Sequence, residues 1–474
     1  MALMCHENLH QLCYDIKMAY CWAELEDGDR ICVRYPKGFE RYAADGEELF
    51  MILEKNLYGA PNAARNWGIC RDTFIQDHFN KNGWTCVKSK EDPCLFYITR
   101  ESQGKTERAW LLIHTDDVDS VGDNPEILED IYLAIHKKWK CKKVDFDFML
   151  GIKRKVDLDA EDAEKGTRTV DSVTLTMEVF VRGMADTFRE HLPLGGAHKN
   201  LPCPPGTLLT VSHDAPDEEV QHVMNLGYQR AVGCLLWAAR GVFPQCLYSV
   251  NQLSKLMGKP TMEAFKIAMH TIAWMEKNAT TGIKFSRSGN RQPVSFSDAT
   301  NEPDPKDMRR HYGYTIQWMG GPIVTSSKKV NHATAAVAAN EFMAISHCTQ
   351  RTYWLRKLLA EIGMKDVIKD PTIIAADNKA ANSWCNDGKV TDGNCYIRTD
   401  YYLARECVDD GYTQVRFIPS IWNLSDLMTK AVSTEVMYGT STTCKKPREG
   451  LNDYLCGYKY PAGGYTKWME SQLK

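Results

Sequence analysis

The sequence predicts a multidomain chain of mixed α+β and α/β class, and three observations carry that prediction. Its 474 residues exceed what one hydrophobic core usually organises, which points to two or three domains. Two separate regions contain short apolar runs that end in acids, the pattern of buried strands with ligand-facing tips. Between them, Met224 to Met275 carries apolar residues at helical spacing, including Val232, Leu235, Leu236 and Ala239, which read as core. With 43% hydrophobic and 25% charged residues, the composition is that of an ordinary globular protein. A net charge of −3 excludes nucleic-acid binding by bulk charge, so such a partner must be held by local basic patches. The 17 cysteines form no Cys-x-x-Cys pair, which argues against a zinc site and for reduced thiols in an intracellular setting, cytoplasmic or nuclear. No apolar run reaches the roughly 18 residues of a membrane span, and no secretory start is evident.

In the first region, Tyr14 to Tyr20 is a short β-like stretch holding Asp15. Ile31 to Phe39 reads as a strand and a Pro36–Gly38 turn, and Leu57 to about Phe79 as a helix stopped by Asn82-Gly83. Asp92 to Tyr97 opens a strand that should pair with the one at Leu111. That second strand climbs into Asp116 and Asp117, and apolar residues resume at Val118 and Val121 before Gly122. The pattern is a hairpin with both aspartates at its tip. Adjacent carboxylates repel, and beside a buried run they are costly unless a hard divalent cation shares them. A solvated acidic turn is the plain alternative. Phe148 to Ile152 closes the region, and a charged, linker-like segment follows from Asp157 to Arg168.

In the second region, Val294, Phe296 and Asp298 alternate with Ser295 and Ser297, so Asp298 shares the inward face of a strand with two apolar residues. Tyr314, Ile316 and Trp318 repeat the pattern, and Gly320-Gly321 turns it back through Ile323 to Thr325. A long helix is expected from about Thr334 to Ile362, with a stripe through Ala338, Glu341, Ile345, Cys348, Thr352, Leu355 and Leu359. Glu341 then faces the sheet, an unusual place for an unpaired acid. Thr372 to Asp377 is a buried strand ending in an acid, Val415 and Phe417 mark the last strand, and Asn423 to Ala431 a helix carrying Asp426. Alone, Asp377 could cap a helix and Asp426 could face a helix dipole. The order βββαβαβα with four acids resembles the ribonuclease H arrangement, which would bring those acids together.

Taken together these pieces resemble the reverse transcriptase and ribonuclease H region of copia-type (Ty1/copia) LTR retrotransposon Pol polyproteins. Asp15-Ile16-Lys17-Met18-Ala19-Tyr20 is similar to that family's Asp-Val-Lys-x-Ala-Phe, and Pro36-Lys37-Gly38-Phe39 to its Pro-Glu-Gly-Phe. Leu57-Tyr58-Gly59 with Trp67 resembles its Leu-Tyr-Gly…Trp block, and Ile113 to Asp117 stands at its Tyr-Val-Asp-Asp box. Tyr228 to Trp237 and Val250 to Lys255 resemble the segment joining polymerase to nuclease. Ser297-Asp298-Ala299, Asn340 to Ala344, Asp377 to Ala381 and Ser425 to Lys430 resemble the four nuclease blocks. The resemblance covers about residues 10 to 435.

It implies a reverse transcriptase palm over 1–156, a thumb or connection over 157–285 that is mainly helical after 220, and a ribonuclease H-like domain over 290–435. Residues 436–474 have no assigned role. In the palm, Asp15, Asp116 and Asp117 would hold two Mg²⁺, with Mn²⁺ as a substitute, acting on dNTPs, a DNA primer and an RNA template. Tyr20 would exclude a ribose 2′-hydroxyl, with plain core packing as the equal alternative. In the nuclease, Asp298, Glu341, Asp377 and Asp426 would ligate two more ions that deliver water to an RNA phosphate in an RNA–DNA hybrid. Lys328 and Lys329, with Arg309-Arg310-His311 and Trp354 to Lys357, would grip phosphates.

The chain departs from the family's pattern at three places. His114-Thr115 replaces the aromatic-Val before the aspartate pair, and Tyr396 and Tyr402 stand where family members carry histidines. The stretch before Asp15 holds no Lys or Arg to grip a triphosphate. A piece of a larger polyprotein is therefore expected, with ribonuclease H competence retained and polymerase activity of this chain alone weak. The alternative is a catalytically decayed remnant acting at most as a nucleic-acid-binding protein. Oligomeric state is left open by the sequence.

Overall fold

The computed structural model describes residues 1–26, 30–145, 148–193, 200–211, 215–331, 336–388, 399–440, 449–459, 468 and 471. The architecture is mixed α and β with several sheets, and the chain divides into two compact units. One is Leu9–Phe146 with Glu361–Gly363; the other is Met1–Asn8, Asp147–Ala360 and Met364–Lys474.

The Leu9–Phe146 unit is built on strands β1 (His10–Ile16), β2 (Thr85–Lys88), β3 (Leu95–Ser102), β4 (Lys105–His114), β5 (Asp117–Gly122) and β6 (Cys141–Lys143). They form one antiparallel sheet in the order β2-β3-β4-β5-β1-β6. Helices α1 (Ala63–Lys81) and α2 (Pro125–Trp139) belong to the same core, where Trp67, Ile75, Ile131 and Trp139 meet Tyr14, Ile16, Leu111 and Ile113. The expected helix from Leu57 starts only at Ala63, because Gly59 sits at φ +93° and the Pro61 ring fits a helix start rather than its interior. The Asn124 side chain accepts from Ile127 N–H and Pro125 opens α2, a strong start signal. Residues Cys32–Arg34 and Phe50–Ile52 pair as a two-stranded ribbon.

The second unit opens with an antiparallel sheet of β7 (Phe148–Met149), β8 (Ile152–Leu158), β9 (Val170–Thr176) and β10 (Gly282–Ser286). The segment read as a linker is thus partly structured. Asp157 pairs with Ser172 on β9, and the Asp159 carboxylate caps a short helix, Ala160–Glu164. An N-terminal helix, Ala2–Glu7, buries Met4 and Cys5, and the Cys5 thiol donates to the Phe285 carbonyl of β10. The Asn8 side chain continues that docking, accepting from Val170 N–H at 2.8 Å and donating to the Arg168 carbonyl at 2.9 Å. Helices α3 (Glu178–Thr187), α4 (Tyr228–Gly241), α5 (Leu247–Ser254) and α6 (Met262–Lys277) fill the middle. Val232, Leu235 and Ala239 of α4 are buried as expected, while Leu236 is half-buried.

A five-stranded sheet follows, from β11 (Val294–Ala299), β12 (His311–Trp318), β13 (Gly321–Lys329), β14 (Thr372–Ala376) and β15 (Thr413–Phe417). Its order is β13-β12-β11-β14-β15: the first three strands are antiparallel, while β14 runs parallel to β11 and β15 parallel to β14. Helix α7 spans Val337–Glu361, α8 Lys379–Asn386, α9 Leu403–Asp409 and α10 Asp426–Thr429. The expected start of α7 at Thr334 lies outside the described residues.

The single inward face expected of β11 is not what the structure shows, since every residue of β11 and β12 is buried. On one face, Ser295 Oγ meets Thr352 Oγ1 of α7 at 2.7 Å. Helix α10 covers the other face, where its Met428 packs against Gly313 of β12. The narrow stripe expected on α7 is exceeded too, because residues Ala339 to Ser346 are buried all round. The C-terminal segment, which had no assigned role, supplies part of this burial. Leu451, Tyr454, Leu455 and Cys456 are buried, and Gln317 Nε2 donates to the Leu455 carbonyl at 3.0 Å. Trp468 is buried as well and donates to the Phe417 carbonyl at 3.0 Å.

Candidate metal centre

The order of the five-stranded sheet decides where the acids meet. Asp298 lies near the end of the central strand β11, and Asp377 follows the neighbouring parallel strand β14, so both reach the same sheet end. The Asn378 side chain caps α8 by accepting from Ala381 N–H, which turns the chain directly after Asp377. Glu341 comes from the buried first turns of α7, and the Ala299 N–H donates to its carboxylate at 3.1 Å. Ligand oxygens of Asp298, Glu341 and Asp377 all lie within 4.8 Å of one another. Among the described residues this is the one such group of three or more His, Cys, Asp or Glu side chains.

Asp426 joins from α10, together with two further residues of that helix turn. Thr429 Oγ1 donates to Asp298 Oδ2, and Lys430 Nζ lies 2.8 Å from Asp426 Oδ1 and 4.0 Å from Asp298 Oδ2. Asp298, Glu341 and Asp426 are only 3–5% exposed, too deep for water to screen their mutual repulsion. Burial, then the Asp426 charge, pushes the Asp298 carboxyl well above the usual range, and Lys430 only partly opposes this. Burial, then Asp298 and Asp377, does the same to Glu341. Lys430 is exposed at its stem; partial desolvation would lower its ammonium, but the Asp298 and Asp426 carboxylates outweigh this and hold it above the ordinary lysine range. A compact set of hard oxygen donors with excess negative charge suits Mg²⁺ or Mn²⁺. Thr429 and Lys430 belong to the Ser425–Lys430 motif, which by itself assigns them no role. Their spacing of three and four residues after Asp426 on a helix was the available signal.

The hairpin acids are arranged differently. Asp15 on β1 stands directly across from Asp117 on β5, and the Asp116 carbonyl accepts from Ile16 N–H at 2.8 Å. Burial and then Asp116 raise the Asp15 carboxyl, while Lys17 and Lys142 oppose. The tip residue Thr115 sits at φ +57°, an uncommon conformation for a β-branched side chain. It is held from α1, where the Trp67 indole donates to the Thr115 carbonyl at 2.7 Å. That contact gives the Trp67 position a purpose, and it keeps the aspartate pair at the tip. Tyr20 packs its ring 4.7 Å from that of Tyr58. Burial, and next the Asp116 charge, raises the Tyr58 phenol, so Tyr58 borders the same acids although only its motif, not its place, was read from sequence.

Other expected contacts fall elsewhere. Lys328 is exposed, but Lys329 is paired with Asp304 at 2.7 Å and Asp307 at 2.8 Å. His311 is buried beside Gln252, with 3.1 Å between Nε2 atoms. Arg356 is buried, donating to the Asp370 and Ile368 carbonyls and to Thr372 Oγ1 at the start of β14. Tyr402 packs edge-on to Phe342, one residue after Glu341, and Tyr396 lies outside the described residues. Among the described residues, no helix is long and apolar enough to cross a membrane.

No protein-family model matches the chain. Curated relatives do. The retrovirus-related Pol polyprotein from transposon TNT 1-94 of Nicotiana tabacum is 24% identical over 430 residues, covering 88% of this chain and 29% of that protein. The Pol polyprotein from transposon RE1 of Arabidopsis thaliana is 25% identical over 421 residues, covering 88% of this chain and 26% of that one. The resemblance to copia-type Pol polyproteins is thereby borne out, and the chain spans less than a third of the length of these relatives. Among solved structures, RNase H1 from the archaeon Halobacterium salinarum NRC-1 matches 29% of this chain and 94% of its own, at 14% identity and a TM-score of 0.22.

Proposed function

We propose that the chain is the reverse transcriptase and ribonuclease H portion of a retrotransposon Pol polyprotein, and that residues 290–435 hydrolyse the RNA strand of an RNA–DNA hybrid. The observation carrying this reading is the gathering of buried Asp298 and Glu341 with half-buried Asp377, and with Asp426 beside them, at one end of the five-stranded sheet. In this reading the four carboxylates hold divalent cations, Mg²⁺ or Mn²⁺. When bound, such ions activate water and stabilise charge on a phosphate. The chain's own residues preset the geometry: Ala299 N–H fixes Glu341, and Thr429 orients Asp298. Asp298, Glu341 and Asp426 are buried, which strengthens the charge interactions among them, while half-buried Asp377 and exposed Lys430 leave one side of the site open to solvent.

Residues 1–156 correspond, on this reading, to the palm of the polymerase, with the compact unit Leu9–Phe146 as its body. Asp15, Asp116 and Asp117 form its ion-binding set, with Tyr20 and Tyr58 bordering the place of an incoming nucleotide. Template RNA, primer and dNTPs are proposed partners of that surface, with Lys328 available to a hybrid backbone. Residues 157–285 are proposed to act as the connection.

The test is Mg²⁺- or Mn²⁺-dependent cleavage of a labelled RNA–DNA hybrid by the purified chain, beside Asp377→Asn. Cleavage in the parent and at least a hundredfold loss in the variant is the expected outcome. Equal cleavage by both would assign the activity to a contaminant, and none from folded parent at any metal level would leave a nucleic-acid-binding remnant as the better description.

A further inference from the structure

We propose that Asn423 and Asn382 are positioning residues of the nuclease: each caps a strand end, and together they hold β11 and β14 apart where the two strands reach Asp298 and Asp377. The inference rests on the nuclease reading above and names residues outside the acids that set its geometry.

The ladder shows why caps are needed. Pairing between β11 and β14 covers Val294–Ile373, Ser295–Ile374 and Phe296–Ala375, and ends there. On its other side β11 stays paired with β12 through Ala299, and the Thr300 N–H reaches the His311 carbonyl at 2.8 Å. Backbone groups alternate sides along a strand, so the Ser297 carbonyl and the Ala299 N–H point toward the β14 side, past the last pair. Ser297 is fully buried, and a buried carbonyl without a donor is costly.

Asn423 supplies that donor. It is buried too; its Nδ2 donates to the Ser297 carbonyl at 3.0 Å, and its Oδ1 accepts from Ser425 N–H at 3.2 Å. Its own carbonyl accepts from Asp426 N–H at 3.1 Å. One residue therefore ties the peptide before Asp298 to the turn that starts α10 and carries Asp426. Beyond Asp298, the Ala299 N–H goes to Glu341. The end of β14 is finished in the same way. Buried Asn382 of α8 donates Nδ2 to the Ala376 carbonyl at 3.0 Å, which also accepts from Ile418 N–H at 3.2 Å. The Asn378 cap of α8 follows Asp377 directly, so that acid is held from both sides. The strands part between two side-chain amides, and the acids that follow meet at one centre instead of continuing a ladder.

The experiment compares Asn423→Leu with the parent and with Thr352→Val, all in the full chain. Leucine keeps the shape of asparagine and removes its donor. Thr352→Val breaks the hydroxyl contact from α7 to Ser295 of the same strand and leaves every acid of the centre in place. In Asn423→Leu, turnover of a labelled RNA–DNA hybrid should fall at least about tenfold at unchanged KM, with more Mg²⁺ needed for the half-maximal rate. Thr352→Val, measured where all three proteins are folded, should keep the parent's turnover. In the metal-free proteins, amide hydrogen exchange of residues 297–300 and 423–427 should quicken in Asn423→Leu alone. Parent-like turnover in Asn423→Leu, or an equal loss in Thr352→Val, would overturn the inference and leave the nuclease reading intact. No cleavage by the folded parent would overturn the nuclease reading; exchange then decides the holding role by itself, sustained if it quickens and refuted if it does not. Should Asn423→Leu not fold, Asn382→Leu takes its place with the same outcomes, its exchange read at residues 376–378.

Discussion

Gly313→Ala is the smallest change that should disable the proposed nuclease without touching any acid. Gly313 sits on β12 directly across from Asp298 on β11, and a Cβ built on it would lie 2.3 Å from Met428 Cβ and 3.1 Å from the Met428 carbonyl carbon. Ordinary carbon–carbon contact needs roughly 3.5 Å, so α10 must retreat by about 1 Å. Backbone is involved, and a rotamer change cannot absorb the shift. The overpacking should cost about 1–3 kcal/mol of stability. The larger effect is on geometry, because α10 carries Asp426, Thr429 and Lys430 away from Asp298 as it moves. A displacement of about 1 Å in a preorganised site can reduce turnover by roughly a hundredfold. Hybrid cleavage at saturating Mg²⁺ and thermal unfolding, measured on the same preparation, test both consequences. Unchanged cleavage together with an unchanged unfolding temperature would show that α10 is not packed on β12 as described, and the argument for a preset Asp298 would fall with it.

Two further outcomes are expected. Burial first, then the nearby Lys255 and Lys329 charges, lowers the His311 imidazole to about 3, so the native state keeps it neutral while the unfolded chain binds a proton below about 6.5. Its contribution is complete above that value and is lost as pH falls through the window down to about 3. Between pH 7 and pH 5 the parent should lose about 2 kcal/mol more stability than His311→Asn, read from denaturant unfolding. Equal losses would refute the assignment. Asp304, lowered to about 2 because Lys329 and Lys255 outweigh its burial, adds a loss in the same direction only at more acid pH. Separately, Trp468→Ala removes a buried indole that donates to the Phe417 carbonyl and packs toward Phe296, and should destabilise by about 3 kcal/mol. An unchanged unfolding temperature would place the C-terminal segment outside the cooperative fold.

The local pattern carried much of the fold. The β4–β5 hairpin, the three antiparallel strands from Val294 to Lys329, and the long helix through Glu341 follow from apolar periodicity and turn residues, all of which are short-range properties. The start of α1 was misplaced because the Leu57-Tyr58-Gly59 motif looks helical until the conformation of Gly59 is known. The 157–168 segment looked like a linker because its charges are exposed, yet its backbone is paired with β9 and capped by Asp159. Lys329, His311 and Arg356 looked like a phosphate-binding surface because composition reports charge and not direction.

The sequence by itself singled out the candidate acids, since most of them end apolar runs and Glu341 falls on the apolar face of a helix, positions that local periodicity exposes. Tertiary structure alone decided how tightly they meet. The parallel placement of β14 beside β11 brings residues 298 and 377 to one sheet end, and burial of β11 from both faces removes the water that would otherwise screen Asp298. It also decided that Lys430 completes the centre and that the C-terminal segment helps enclose the protein's second unit. Both depend on contacts between residues more than a hundred positions apart, and no window of neighbouring residues contains that information.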